Sequence, residues 1–303
     1  MMVVYDTIIV GAGPAGLSAA IYAARQKMKF LVLTKDIGGQ TLWSTEVGNY
    51  LGFHLLTGEE LVKKFEEHLE DYDIQVKEQE PVKEIKKSKK KFKVKTDKKT
   101  YETKTAIIAS GKHPRYLKVP GEKEYYGKGV AYCATCDAPL YKDKTVAVVG
   151  GGNSAIEAAM ILEKYAKKIY LLVRGDKLQG EPVLMDKIDK MKKLTMITNA
   201  DTKEIKGNKF VTELVYDQKG KEKSIKTEGV FVEIGLIPNS DMIDFVKKNK
   251  KGEIKVDKEM HTSEEGVFAA GDVNDGTEKQ IIVAAGEGCV ALLEAVRYLQ
   301  KQE

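Results

Sequence analysis

Only three cysteines and four histidines occur in the 303-residue chain, and both shortages exclude chemistry. Three thiols cannot staple a chain of this length as they staple small secreted domains. His54, His68, His113 and His261 stand far apart, and Cys289 is remote from Cys133 and Cys136. The Cys133/Cys136 pair therefore lacks the second ligand pair that a tetrahedral zinc site needs, and no metal is expected. Long hydrophobic runs are also missing. No stretch approaches the roughly 20 apolar residues of a membrane span, and MMVVYDTIIVGAG enters a strand pattern without a basic segment or cleavage site. The expectation is a cytoplasmic protein with no membrane partner. An excess of one charge is small, at +5. In the densest lysine run, 82–104, Phe92 and Val94 alternate with lysines as in a half-buried strand with a solvated face. No aromatics interleave for base stacking, so nucleic acid is not an expected partner.

What is present begins with YCATCDAPLY at 132–141. A Cys-x-x-Cys in a reducing compartment reads as a redox dithiol: two thiols at this spacing close a small ring, and a following turn or helix can stabilise one thiolate. The length predicts two domains, and internal similarity shows where they start. VYDTIIVGAGPAGLSAAIYAA (4–24) runs from an apolar strand through Gly11, Gly13, Pro14, Ala15 and Gly16 into an alanine-rich helix. KTVAVVGGGNSAIEAAMILEKY (144–165) repeats the pattern through Gly150, Gly152, Asn153 and Ser154. In each, one glycine permits a tight turn, the next lets backbone approach a pyrophosphate, and a third small residue lets helix and strand pack. The helix start then offers N–H groups and a positive dipole end to phosphates. Two dinucleotide sites beside a dithiol imply an electron relay.

These motifs, with GGQ at 38–40, TEVGNYLG at 45–52, IIASG at 107–111, GLIPN at 235–239 and VFAAGDVNDGTEKQIIVAAGEG at 267–288, resemble the low-molecular-weight thioredoxin reductases along the whole chain. The resemblance is closer still to the flavoprotein reductase of the alkyl hydroperoxide reductase system without its additional N-terminal thioredoxin-like region. It implies an α/β fold of two Rossmann-like, doubly wound, three-layer domains, the second inserted in the first. An FAD-binding domain would take residues 1–113 and 242–303, and an NAD(P)-binding domain carrying the dithiol 114–241. The linkers GKHPRYLKVPG and GLIPNSD would let the inserted domain rotate.

Position by position, the resemblance implies that Gly11, Gly13, Pro14, Ala15 and Gly16 meet FAD, with Gly39, Gln40, Asn49, Ala109, Gly111, Gly271, Asp272, Gln280 and Ile281. Gly150, Gly152, Asn153, Ser154, Arg174 and Gly235 would meet NAD(P). Cys133, Cys136 and Asp137 would be catalytic, with Cys136 beside the flavin and Asp137 exchanging protons with the thiolates. A plain turn role for Asp272 and helix capping for Asp137 are the alternative readings of those two residues. Cys289 reads as a small buried hydrophobe. The implied activity is thioredoxin-disulfide reduction on a thioredoxin- or glutaredoxin-like partner, by a homodimer; a peroxiredoxin system, a non-nicotinamide donor and a non-catalytic sensor are the alternatives.

The chain departs from the family in its nucleotide loop. NADPH-using members carry His-Arg-Arg-x-x-x-Arg, where this chain has Val173, Arg174, Gly175, Asp176, Lys177, Leu178 and Gln179. One arginine remains, and Asp176 would repel a 2′-phosphate, so NADH is favoured over NADPH.

Overall fold

In VYDTIIVGA the side chains of Ile8, Ile9 and Val10 are all buried, as in a parallel strand covered on both faces. The computed structural model describes residues 3–44 and 47–302, apart from the side chains of Trp43, Thr135, Cys136 and Val183. It makes this run β1 (Val4–Ala12), followed by α1 (Pro14–Arg25) and by β2 (Phe30–Ile37), which is parallel to β1. Next come α2 (Gly58–Glu70), β3 (Val76–Lys77), β4 (Val82–Ser88), β5 (Lys91–Thr96) and β6 (Thr100–Ile108). Phe92 and Val94 of β5 point inward while Lys93 and Lys95 are exposed, as the alternation predicts.

The chain leaves through β7 (Lys112–Pro114) and builds β8 (Val130–Ala131), α3 (Ala134–Asp137), β9 (Thr145–Val149), α4 (Asn153–Glu163), β10 (Lys168–Val173), α5 (Pro182–Ile188) and β11 (Leu194–Thr198). An antiparallel meander follows, β12 (Ala200–Gly207), β13 (Val211–Gln218) and β14 (Lys221–Lys226), then β15 (Gly229–Val232). The return passes through β16 (Leu236–Pro238), which pairs with β7, to β17 (Val267–Ala269) and α6 (Ile281–Gln300).

Two compact units result: Met1–His113 with Ile237–Glu303, and Pro114–Leu236. The return crossing thus falls five residues before the expected 241/242 boundary. The reason is local: Asn239 N donates to Gly111 O at 2.9 Å, and Ile243 is fully buried in the first unit's core.

Each unit has three layers. In the first, β3-β2-β1-β6 and β17 are parallel, while β5 and β4 continue antiparallel from β6. Ile9 faces α1 and α6; Ile8 and Val10 face the β4–β5 hairpin and Ile243, Val246 and Ile254. In the second, the parallel sheet runs β11-β10-β9-β15-β8. Val146 and Val148 pack toward α4, and Ala147 and Val149 toward the meander. Strand side chains alternate between faces, so each fully apolar strand serves two cores. No helix among the described residues is long and apolar enough to cross a membrane.

Candidate functional site

The glycines of the first fingerprint divide into packing and open positions. Gly11 has φ +105°, and a Cβ there would lie 2.4 Å from Ala109 O; a Cβ on Gly16 would lie 1.9 Å from Gly11 O. Both are filled by backbone. Gly13 is different, because a Cβ there would find its nearest neighbour, Gly38 O, only at 4.0 Å, and a Cβ on Gly39 would lie 3.7 Å from Gly13 Cα. Gly13 also begins α1 without a side-chain cap, and Pro14 follows at the first helical position. By contrast, α2 is closed by a full capping box from Thr57 and Glu60. The start of α1 therefore presents uncapped backbone beside open glycine, the arrangement that accepts an anion.

The remaining expected FAD residues gather in the same unit. Gln40 Nε2 donates to Asp272 Oδ2 at 3.4 Å, and Gly111 lies against Gln40. Asn49 Nδ2 donates to Gln280 Oε1 at 3.1 Å, and Gln280 begins α6 at Ile281, again with no side-chain cap. Gly271 packs toward Ala15, and a Cβ on Gly288 would lie 2.0 Å from Ala15 O, so α1 and α6 meet closely. Residues that spacing did not reveal support this loop. Glu287 accepts from Gly271 N at 2.7 Å and Asn274 Nδ2 at 2.8 Å, and burial raises its pKa. Lys279 donates to Asn274 O. A glutamate inside the apolar helix IIVAAGEGC was the available signal. Cys289 is partly exposed rather than buried, and it contacts Tyr22 of α1.

In the second unit, Gly150 is packed, with a Cβ position 2.2 Å from Glu233 O, whereas nothing lies within 4 Å of a Cβ on Gly152. Gly152 begins α4 uncapped, and Ser154 is exposed. Asn153 is not free for a ligand: its side chain donates to Glu181 Oε1 and accepts from Glu181 N, both at 2.9 Å. Arg174, Gly175, Asp176 and Gln179 are exposed, and Gln179 N donates to Gly151 O at 2.7 Å, which holds the loop beside the fingerprint. Val173 is only 2% exposed and belongs to the core. Gly235, at φ +100°, borders open space.

Cys133 lies in this unit immediately before α3 and is disulfide-bonded; the Cys136 side chain falls outside the described residues. Tyr132, next to Cys133, donates to Glu122 Oε1 at 3.0 Å, and Glu122 also accepts from Leu117 N and Lys118 N. Asp137 makes no side-chain cap, which removes the capping reading, and burial raises its pKa. Glu233, unmarked by any motif, accepts a hydrogen bond from Ala134 N, and burial with the nearby Glu157 charge pushes it up to about 8.

The profile of the pyridine nucleotide-disulphide oxidoreductase family matches residues 5–288, and the chain belongs to that family. It is 40% identical over 299 residues to a protein named NADH dehydrogenase from Bacillus subtilis, covering 97% of this chain and 58% of that one. It is 38% identical to an alkyl hydroperoxide reductase component of Staphylococcus aureus, covering 97% and 59%. The chain thus spans somewhat under two thirds of these curated relatives. Among solved structures it is similar to thioredoxin reductase from Lactococcus lactis, with a TM-score of 0.80 and 34% identity over 98% of this chain and 99% of that one.

Proposed function

We propose that the protein is an FAD-dependent disulfide reductase that takes electrons from a reduced pyridine nucleotide and delivers them, through Cys133 and Cys136, to a thioredoxin- or glutaredoxin-like protein. The observation that carries this reading is the pairing of two uncapped, open-glycine helix starts, at Gly13 and Gly152, with a disulfide-bonded Cys133 in the same unit as the second. The first start fits FAD: Gly13 and Gly39 leave room for a pyrophosphate, and Gln40, Asp272, Asn49 and Gln280 supply polar groups nearby. Bound FAD would supply the two-electron chemistry that links a nicotinamide hydride donor to a disulfide. Gly152 and the exposed 174–179 loop would hold the nucleotide in the inserted unit, Pro114–Leu236.

Once reduced, one thiolate of the pair attacks the partner's disulfide to form a mixed disulfide; the second thiol displaces it, re-forming the Cys133–Cys136 bond and leaving the partner as a dithiol. Asp137, which burial keeps protonated to higher pH than an ordinary aspartate, exchanges protons with these sulfurs. NADH is the favoured donor, because the exposed 174–179 loop carries a single arginine, and the charge of Asp176 would repel a 2′-phosphate bound there. A homodimer through the FAD-binding unit is supported by the exposed Leu51 and Leu55. The similarity to the staphylococcal alkyl hydroperoxide reductase component favours a second reading, in which the carrier serves a peroxiredoxin.

Cys136→Ser separates the steps. The variant should bind FAD and still be bleached by nucleotide, yet fail to reduce a thioredoxin-like disulfide. Protein-disulfide reduction near the parent rate would overturn the assignment.

A further inference from the structure

We propose that Glu287 is the positioning residue that sets how tightly this chain holds FAD: its carboxyl fixes the turn carrying Asp272, and through that turn it acts on the cofactor. The proposal rests on the reading of this unit as the FAD site. Glu287 lies in the second turn of α6. Its Oε2 accepts from Gly271 N at 2.7 Å and from Asn274 Nδ2 at 2.8 Å. Both donors belong to the GDVN turn that contains Asp272. Gly271 holds φ +77°, a conformation that residues with a Cβ disfavour, and the bond to its N–H pins it there.

Asn274 carries the brace further. It is fully buried; its Oδ1 accepts from Gly276 N at 2.9 Å, and its carbonyl oxygen from Lys279 Nζ at 2.7 Å. Lys279 directly precedes Gln280, which begins α6 and meets Asn49. On the other side of Glu287, a Cβ on Gly288 would lie 2.0 Å from Ala15 O of the first fingerprint. One stretch of α6 thus gathers three groups of expected FAD residues: Ala15, Asp272 with Gln40, and Gln280 with Asn49. An unpaired buried donor is costly. Without the Glu287 acceptor, the buried Gly271 must shift to pair its N–H, and Asp272 shifts with it. Burial raises the Glu287 pKa in spite of its two hydrogen bonds, so a neutral amide with the same acceptor is its conservative replacement.

The test reads FAD binding and does not depend on turnover. FAD-loaded protein is diluted in series, flavin fluorescence gives the Kd of each variant for FAD, and far-UV circular dichroism checks the fold. Glu287→Leu removes the acceptor and should weaken FAD binding about tenfold or more. Glu287→Asp keeps the charge on a shorter arm and should weaken it about threefold or more. Glu287→Gln keeps the acceptor at full reach and should stay within about threefold of the parent. Glu80 supplies a matched control, because it is a buried acceptor in the same unit, bonded to Thr96 Oγ1 at 2.9 Å and Tyr101 Oη at 2.7 Å. Glu80→Leu should lower Tm and leave the Kd unchanged. Glu287→Asp and Glu287→Gln decide the matter if Glu287→Leu does not fold. Parent-like Kd in Glu287→Leu and Glu287→Asp would overturn the proposal, as would a Glu287→Gln or Glu80→Leu that loses FAD as readily as Glu287→Leu. A parent that takes up no FAD defeats both this role and the functional reading. The expected order of Kd in a protein that reduces no disulfide sustains the role of Glu287 and defeats that reading alone.

Discussion

Val173 shows how burial limits a change that the sequence alone invites. It ends β10 in the core of the second unit, 2% exposed, with its Cγ1 3.0 Å from a Cβ position on Gly151. A histidine there would bury a polar ring and crowd the fingerprint, whereas Gly175 and Gln179 are exposed and can accept arginines. Gly175→Arg with Gln179→Arg should therefore shift the kcat/KM ratio toward NADPH by about tenfold, equivalent to about 1.4 kcal/mol. Adding Val173→His should lower Tm without a matching gain. Glu233 yields a stability prediction with a definite sign. Its pKa is raised from 4.5 to about 8, so the folded chain binds this proton more tightly than the unfolded chain does. That contribution is complete below pH 4.5 and is lost as pH rises through 8. Thermal melts should accordingly show Glu233→Gln gaining on the parent from pH 5 to 8, and a Tm difference constant across that window would refute the raised pKa. The fingerprint glycines and the dithiol were legible because fixed spacing announces them. Glu233, Glu287 and the partly exposed Cys289 were not, because their surroundings come from elements distant in sequence.

At the level of elements, the strand–glycine–helix units carry the dinucleotide reading, and their glycines make it testable. A Cβ on Gly16 would sit 1.9 Å from Gly11 O, so the β1–α1 packing must part to admit it. Gly16→Ala should cost about 1–3 kcal/mol or more and lower Tm clearly. At Gly13 the neighbouring space is open, so Gly13→Ala should keep the fold and lose FAD; the flavin-to-protein absorbance ratio and a melt together separate the two outcomes. Both units could be read from sequence because a β-branched run passes through glycine into an alanine-rich helix. The β12–β14 meander left a weaker trace: it is rich in lysine, and its inward residues Ile205, Leu214 and Tyr216 find their partners across the sheet in Ala147 and Val149. The β7–β16 pair, three residues on each side, is too short to leave a periodic signal.

For the whole molecule, an insertion was legible because the first fingerprint opens the chain while the AGD motif near its end holds Asp272, which meets Gln40. The exact return crossing was not. Asn239 and Ile243 belong to the first unit through contacts with Gly111 and the β-core that no local pattern encodes. The proposed assembly predicts that light scattering at working concentration gives twice the 33.7 kDa chain mass; a stable, fully active monomer would refute it. The central claim, that nucleotide electrons reach the dithiol, is tested most directly by anaerobic titration of the FAD-loaded protein with NADH and NADPH in parallel, with alkylation of the product. The account predicts flavin bleaching by NADH at least as efficiently as by NADPH, new thiols at Cys133 and Cys136, and reoxidation by a thioredoxin-like disulfide. Bleaching without those thiols, or no bleaching by either nucleotide, would contradict it.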